Sequence, residues 1–448
     1  MSKSNPIAPP ASEIDFINNN KLFQQLTNPE VISLIKDFNE RYLYWDEVKR
    51  RKIPETITHE ELWKLLKLNR KLKSKQLNIS KLSGYKFTFS STDAIAKSLH
   101  RFDLNLGGVL EGSTTIPEGQ GDKYMINALM EEAIASSQLE GAATTRKIAK
   151  ELLRTERKPK NLSEQMIVNN YTTVKELKKI SNRNLTPELI LHIHKTITNG
   201  TLDLSVNEGK FRNNNNINVV DGITGEIYYT PPDYNEISQV INDICDFANS
   251  KQGNDFIHPI IRAITLHFLI GYLHPFVDGN GRTARALFYW YLLSKGYWLI
   301  EFISISKAML ESPSLYSRAY VCTEKDGNDL TYFYNYNVKT LLSALKGFRK
   351  YISKQISEKS NIYALQKIRD INERQVEIIY KIQKEKHKML SIKEVQNTYN
   401  VVYQTARMDL LGLEKRGFLQ QKLSGKKLLF FKSDQFDKLI GQANKDDL

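Results

Sequence analysis

The chain has 448 residues, more than one ordinary domain holds, and its length predicts about three. Its apolar content of 41% is that of a globular protein, and no run of about 18 uncharged apolar residues marks a membrane-spanning helix. The net charge of +14 favours a polyanionic partner (a nucleotide, a nucleic acid or an acidic protein) without choosing among them.

Val31–Arg51, Glu60–Leu72 and Thr92–Asn105 carry apolar residues at helical spacing, so residues 1–120 read as a helical accessory region. Gly107–Gly121 is rich in Gly, Ser, Thr and Pro and reads as a loop. Tyr124–Glu140 reads as an amphipathic helix capped at Gly141, followed by helical patterns at Arg146–Arg154, Ser163–Asn182 and Pro187–Thr198. Ile217–Asp221 and Glu226–Tyr229 are short β-prone runs joined by Gly222–Gly225 and stopped by Pro231 and Pro232, a hairpin signature. Helical patterns resume at Ile237–Asn249, Pro259–Leu273, Thr283–Lys295 and Asn328–Ser353. The most apolar stretch, Ala286–Ile305, reads as a buried helix and its continuation. Residues 346–370 read as a linker helix. Beyond them, helices at Glu373–Lys384, Ser391–Tyr399 and Tyr403–Arg416, then strands Phe418–Lys422 and Lys427–Lys432 around Ser424-Gly425, have the winged-helix layout over 371–436.

The polar start Met1–Ile14 lacks the layout of a signal peptide. Cys245 and Cys322 supply neither a disulfide framework nor metal-ligand spacing, which points to a reducing cytoplasm.

The chemistry concentrates in His274-Pro275-Phe276-Val277-Asp278-Gly279-Asn280-Gly281-Arg282-Thr283-Ala284-Arg285, between two apolar helices. The loop ends at a helix N-terminus, where unpaired N–H groups and the helix dipole favour an anion. Gly279 and Gly281 let a ligand approach the main chain, which makes a nest suited to phosphates. Arg282 and Arg285, three apart, project from the first turn toward it, and guanidinium groups grip phosphate oxygens in pairs. Asp278 is the one carboxylate there and suits Mg²⁺. His274 is the one nearby group that takes a proton near neutral pH. Cradle, metal and base are the parts of a phosphoryl-type transfer, with direct attack by a substrate hydroxyl.

At all eight fixed positions the segment resembles the Fic motif, HxFx(D/E)GNGRxxR. The resemblance implies a mainly α fold: a helical Fic core over 121–345 with a β-hairpin flap, the N-terminal helical region and the C-terminal winged helix. It implies transfer of AMP from ATP, with Mg²⁺, to a Tyr, Thr or Ser hydroxyl of a target protein and of the chain itself. His274 would be the general base, Phe276 the anchor of the loop, and Asp278 the Mg²⁺ ligand. Gly279, Asn280 and Gly281 would form the anion hole, and Arg282 and Arg285 would hold the β- and γ-phosphates. Relatives with kinase chemistry commonly carry Lys where Gly281 stands, which argues against a kinase here. Tyr316 would line the adenine pocket.

Ser136, Glu140 and Gly141 match the inhibitory motif (S/T)xxxE(G/N) of the same family, N-terminal to the core. Glu140 would pair with Arg285 and leave ATP misaligned for attack, or position a water for AMP removal. The hairpin Ile217–Tyr229 would cover the site and accept an extended substrate segment at its edge. His192, His194, His258 and His267 read as core or hydrogen-bonded residues rather than ligands.

In the helix Tyr403–Arg416, Val402, Ala406, Leu410, Leu411 and Leu413 are expected to pack inward and Tyr403, Gln404, Thr405 and Arg407 to face out, toward DNA or a protein partner. Between Asp370 and Asp434 there are 13 Lys or Arg against 8 Asp or Glu, an excess too small to decide between them. Exposed accessory helices would support a homodimer. Two other readings stay open: a DNA-binding regulator that senses ATP through the Fic pocket, and a hydrolase that removes AMP.

Overall fold

The computed structural model describes residues 6–13, 20–77, 79, 85–107, 121–220, 225, 227–249, 256–366, 371–384, 389–399, 401–424 and 427–443. The loop expected at 107–121 lies almost wholly outside the described residues, as does the turn of the hairpin. The chain separates into two compact units, Met1–Phe348 and Arg349–Leu448. The accessory region and the core expected at 121–345 therefore share one unit.

The first unit opens with α1 (Asn20–Gln25), α2 (Pro29–Glu40), α3 (Trp45–Val48) and α4 (His59–Lys73). The sequence pattern had merged α2 and α3 into one helix over Val31–Arg51. The structure breaks it at Tyr42, whose left-handed φ of +50° no helix continues. That turn lets the Tyr42 hydroxyl donate to Asp329 Oδ2 at 2.6 Å. Arg70 of α4 lies buried with its guanidinium 4.1 Å from the Tyr42 ring centre and donates to the Tyr332 hydroxyl at 2.6 Å. These bonds tie the accessory region to the start of the long helix described below.

A short ladder of β1 (Lys75–Gln76) and β2 (Thr88–Phe89) precedes α5 (Asp93–Phe102). Then come α6 (Gly121–Leu139), α7 (Arg146–Thr155), α8 (Leu162–Ile180) and α9 (Pro187–Thr198). Side-chain oxygens of Thr145, Asn161 and Thr186 accept from the N3 amides of α7, α8 and α9, so these starts are set locally. Gly141 ends α6 with φ +90°, a conformation costly for any side chain. β3 (Val219–Val220) pairs antiparallel with β4 (Ile227–Tyr229), with an irregularity between Val219 and Val220.

α10 (Ile237–Ala248), α11 (Pro259–Leu273) and α12 (Asn280–Ser294) follow. Both α11 and α12 are buried almost all round, as helices apolar on every face must be. α12 starts at Asn280, three residues before the helix read from the sequence, because Gly279 supplies its N-terminal turn. The apolar stretch after it does not continue as α-helix: Lys295 and Gly296 end α12, and Trp298–Phe302 forms a tighter turn. α13 (Ile305–Leu310) and α14 (Pro313–Lys325), which the sequence reading does not include, follow. α15 (Thr331–Gln366) runs well past Ser353. Among the described residues no helix is long and apolar enough to cross a membrane.

The second unit holds α16 (Glu373–Lys384), β5 (Met389–Ser391), α17 (Ile392–Tyr399), α18 (Tyr403–Lys415), β6 (Leu419–Ser424), β7 (Lys427–Lys432) and α19 (Phe436–Ala443). β6 and β7 form the expected hairpin, and the unforeseen β5 adds to β7. Ala406, Leu410 and Leu413 are buried in a core with Val376, Ile379 and Phe430. Val402, expected inside, is 67% exposed because it caps the start of α18 rather than lying on its inner face. Tyr403, Gln404 and Arg407 face solvent, and Thr405 is half-buried.

Candidate active site

α11 ends at His274, which takes a left-handed φ of +47° and sends the chain into the loop Pro275–Gly279. Phe276 is fully buried, and its ring stacks on His194 with centroids 3.7 Å apart and planes 4° from parallel. His194 Nδ1 accepts from the Gly209 amide at 3.0 Å, so the proton resides on Nε2, which donates to the Asp278 carbonyl at 2.9 Å. Burial holds this imidazole neutral, its pKa pushed down to about 4. The Asn280 side chain closes the loop from the other end: Oδ1 accepts from the Phe276 amide and Nδ2 donates to the Phe276 carbonyl, both at 2.9 Å. Gly279, at φ +81°, lies against Thr198, whose methyl a Cβ would meet at 2.8 Å.

Arg212 was not singled out by its sequence context, yet it holds this loop. Its amide donates to the Pro275 carbonyl at 2.8 Å and its Nε to the His274 carbonyl at 2.9 Å. Its remaining nitrogens donate to Asn214 O, Asn215 Oδ1 and Pro232 O, at the base of the β3–β4 hairpin. One guanidinium thus couples hairpin to loop. A basic residue between Phe211 and a run of four asparagines was the available signal.

The His274 ring is half-buried, and its Nδ1 donates to the Gly271 carbonyl at 3.0 Å. That bond fixes the tautomer and leaves the Nε2 lone pair as the basic one. Burial lowers its pKa, partly offset by the Gly271 carbonyl and the negative charge of Glu140, so the imidazole is neutral at neutral pH.

At the start of α12, Thr283 is the first amide with a helical acceptor, the Gly279 carbonyl at 2.9 Å; the amides of Asn280, Gly281 and Arg282 precede that ladder. Arg282 and Arg285 are each 1% exposed. Arg282 donates to Ile197 O at 3.3 Å and to Asp278 Oδ2 at 3.2 Å, and its Nε has no partner among the described residues. Asp278 Oδ1 accepts from the Gly279 amide at 2.6 Å, and its side chain is 55% exposed.

Arg285 reaches α6. Its Nε donates to Ser136 Oγ at 2.9 Å, and its Nη2 donates to Ser136 O and Glu140 Oε1, both at 3.0 Å. Its buried Nη1 has no hydrogen-bond partner among the described residues. The Glu140 carboxylate lies directly over Gly281, where an added Cβ would sit 2.2 Å from Oε1 and 3.1 Å from Arg285 Nη1. A protein carboxylate thus lies where the sequence led to the expectation of an anion nest. Tyr316 sits nearby: burial raises its hydroxyl pKa, and the Arg285 charge offsets part of that rise. Its hydroxyl bonds to His267 Nε2 at 2.8 Å.

The other histidines have structural partners. His267 is buried and neutral, its pKa lowered to about 3 by burial. His192 pairs with Glu176 and His258 with Asp103. Among the described residues no three His, Cys, Asp or Glu side chains converge as a metal-binding group. Asp278 is a lone exposed carboxylate at the edge of the cradle. That donor set fits Mg²⁺ delivered on phosphates, which needs one or two carboxylates from the protein, rather than a standing metal cage.

Residues 184–292 match the Fic/DOC family. A protein adenylyltransferase Fic of Aedes aegypti is 33% identical over 121 residues, 26% of this chain and 21% of that protein. The protein of the same name in Drosophila mojavensis is 32% identical over 111 residues, 24% of this chain and 19% of its own. The matched stretch spans about a fifth of the length of these relatives. A Fic family protein from Desulfovibrio desulfuricans G20, solved as a crystal structure, aligns with a TM-score of 0.50 over 77% of this chain and 97% of its own at 16% identity, a likeness of fold.

Proposed function

We propose that this chain is a protein adenylyltransferase that moves AMP from ATP to a Tyr, Thr or Ser hydroxyl of a target protein and of itself, and that Glu140 restrains it. The observation that carries this reading is the carboxylate of Glu140 over Gly281 and against Arg285, a place built for a phosphate.

The amides of Asn280 and Gly281 at the N-terminus of α12, opened by Gly279, would receive the α- and β-phosphates. Arg282 Nε and Arg285 Nη1, both buried without partners among the described residues, would take β- and γ-phosphate oxygens. Asp278 would hold Mg²⁺, which when bound neutralises phosphate charge. Phe276 and the Asn280 side chain keep the loop in shape, and Tyr316 would border the adenine. The acceptor hydroxyl gives its proton to His274 Nε2 as its oxygen attacks the α-phosphorus. The bond from that phosphorus to the bridging oxygen breaks, and pyrophosphate leaves. A target segment laid along the β3–β4 hairpin would present the hydroxyl.

The test is incubation of the full chain with each labelled nucleoside triphosphate, followed by intact-protein mass spectrometry. A mass gain of one AMP from ATP, lost in His274→Ala, is expected. A gain from UTP, or of a lone phosphate from ATP, overturns the donor assignment. Release of AMP from a modified target, dependent on Glu140, would establish the hydrolase instead.

A second role belongs to the C-terminal unit, which we read as a winged helix. Tyr403, Gln404 and Arg407 share the solvent face of α18 near its start, the types and place that contact DNA. Duplex binding that weakens steeply from low to moderate salt supports this role, and no binding at low salt refutes it in favour of protein docking. A cytoplasmic address is proposed separately, on the free cysteines Cys245 and Cys322, and size measurements on the full chain test the homodimer.

A further inference from the structure

Glu132 and Ser136 of α6, and Glu140 just past its end, follow one another at intervals of four residues. The last two hold Arg285. Glu132 is 3% exposed, and its carboxylate accepts from Tyr289 Oη at 2.8 Å, Ser304 Oγ at 2.9 Å, the Ser306 amide at 3.0 Å and the Ser306 hydroxyl. No lysine or arginine pairs with it among the described residues. It is a clasp of neutral donors that fastens α6 to α12 and α13.

Next to this clasp a cavity of about 520 Å³ opens between α6, α8, α12 and the turn after α12. None of the residues His274–Arg285 lines it. Its size lies in the range of small-molecule pockets. The walls are aliphatic, among them Leu129, Val174, Leu293, Ile300 and Ile303, and Glu132 and Tyr289 of the clasp also border it. Lys175 and Lys178 line it too. Lys178 is engaged by Glu301 at 2.9 Å. Lys175 has only the Tyr171 ring, 5.3 Å from its ammonium, and no carboxylate partner among the described residues. Glu156 borders the same cavity, and it and Lys175 are both exposed, so solvent screens both charges.

We propose that this cavity binds a linear acyl chain with a carboxylate head, the chain among the aliphatic walls and the head on Lys175. A chain that reaches Tyr289 displaces its hydroxyl from Glu132, slackens α6, and so loosens Glu140 on Arg285. The second half rests on the adenylyltransferase reading; the binding itself does not.

The experiment titrates the full chain with dodecanoate and with dodecanol, below their micelle concentrations, by calorimetry. Saturable binding of dodecanoate, roughly tenfold tighter than dodecanol, is expected from the charge-assisted contact. Lys175→Met should erase that difference, and Val174→Trp, which fills the cavity, should abolish binding of both. No saturable binding, or equal binding by Val174→Trp, overturns the site. Equal affinity for the two probes overturns the acidic head. Self-modification by wild type should rise roughly fivefold with saturating dodecanoate, and Glu140→Gly, already released, should bind but not respond. Binding without a rate change overturns the coupling. If Glu140→Gly transfers no AMP at all, the activity reading fails while the titration still decides the cavity.

Discussion

Replacing Glu140 with glycine removes the carboxylate from the cradle, and the structure sets the scale of the effect. Oε1 stands 3.0 Å from Arg285 Nη2, with the two side chains 25% and 1% exposed. A phosphate entering the cradle meets that carboxylate at close range. Two unit charges about 4 Å apart interact by about 4 kcal/mol at an effective dielectric near 20. The partial exposure of Glu140 screens this to about 2 kcal/mol, roughly a 30-fold change in the productive binding of ATP. Folding should suffer comparably. Arg285 keeps both contacts to Ser136 but loses its carboxylate, so about 1.5–3 kcal/mol of stability is lost, the usual cost of one charged hydrogen bond. Initial rates of label transfer from α-labelled ATP, with melting curves alongside, measure both sides. Glu140→Gln separates charge from bulk: it keeps the volume over Gly281 and should release only part of the activity. A folded Glu140→Gly protein whose rate stays within about twofold of wild type would refute the block.

Gly281→Ala puts a methyl 2.2 Å from Glu140 Oε1, so it should destabilise wild type by about 1–3 kcal/mol and the Glu140→Gly variant by much less; a double-mutant cycle in urea checks the coupling. Arg212→Ala should lower transfer more than tenfold through a displaced His274 and hairpin while ATP affinity stays nearly constant, read as a fall in kcat at unchanged nucleotide Kd. Phe276→Ala should cost about 3–5 kcal/mol by chemical denaturation, since the ring is fully buried on His194. The neutral histidines make the protein acid-sensitive. His194 and His267 have folded pKa values near 4 and 3 against an unfolded value near 6.5, so their contribution is complete above pH 6.5 and lost as pH falls toward those values. At pH 5 each costs about 2 kcal/mol, visible as a falling Tm between pH 7 and 5. The His274 pKa is lowered as well, so the acid limb of the transfer rate should lie below pH 6.5.

The helix-loop-helix around His274 was legible in the sequence because its determinants are local. Gly279 takes a conformation that side chains resist, Asn280 bonds back four residues to Phe276, and two arginines three apart share one helix face. The same holds for the end of α6 at Gly141. What the sequence could not place were contacts made by residues far apart. Arg212 meets the loop across about 60 residues, and Glu132 clasps Ser306 across 174. The grip of Arg285 on Ser136 spans 149. Even the break at Tyr42 depends on Asp329, far along the chain. Helix caps and turns follow from neighbours along the backbone, whereas a buried charge finds its partners only where packing brings remote elements together. Thus the loop was written in twelve consecutive residues and the pairing of Glu140 with Arg285 was expected from a motif match, but the arginine that aims the loop and the clasp at Glu132 were decided by the tertiary structure.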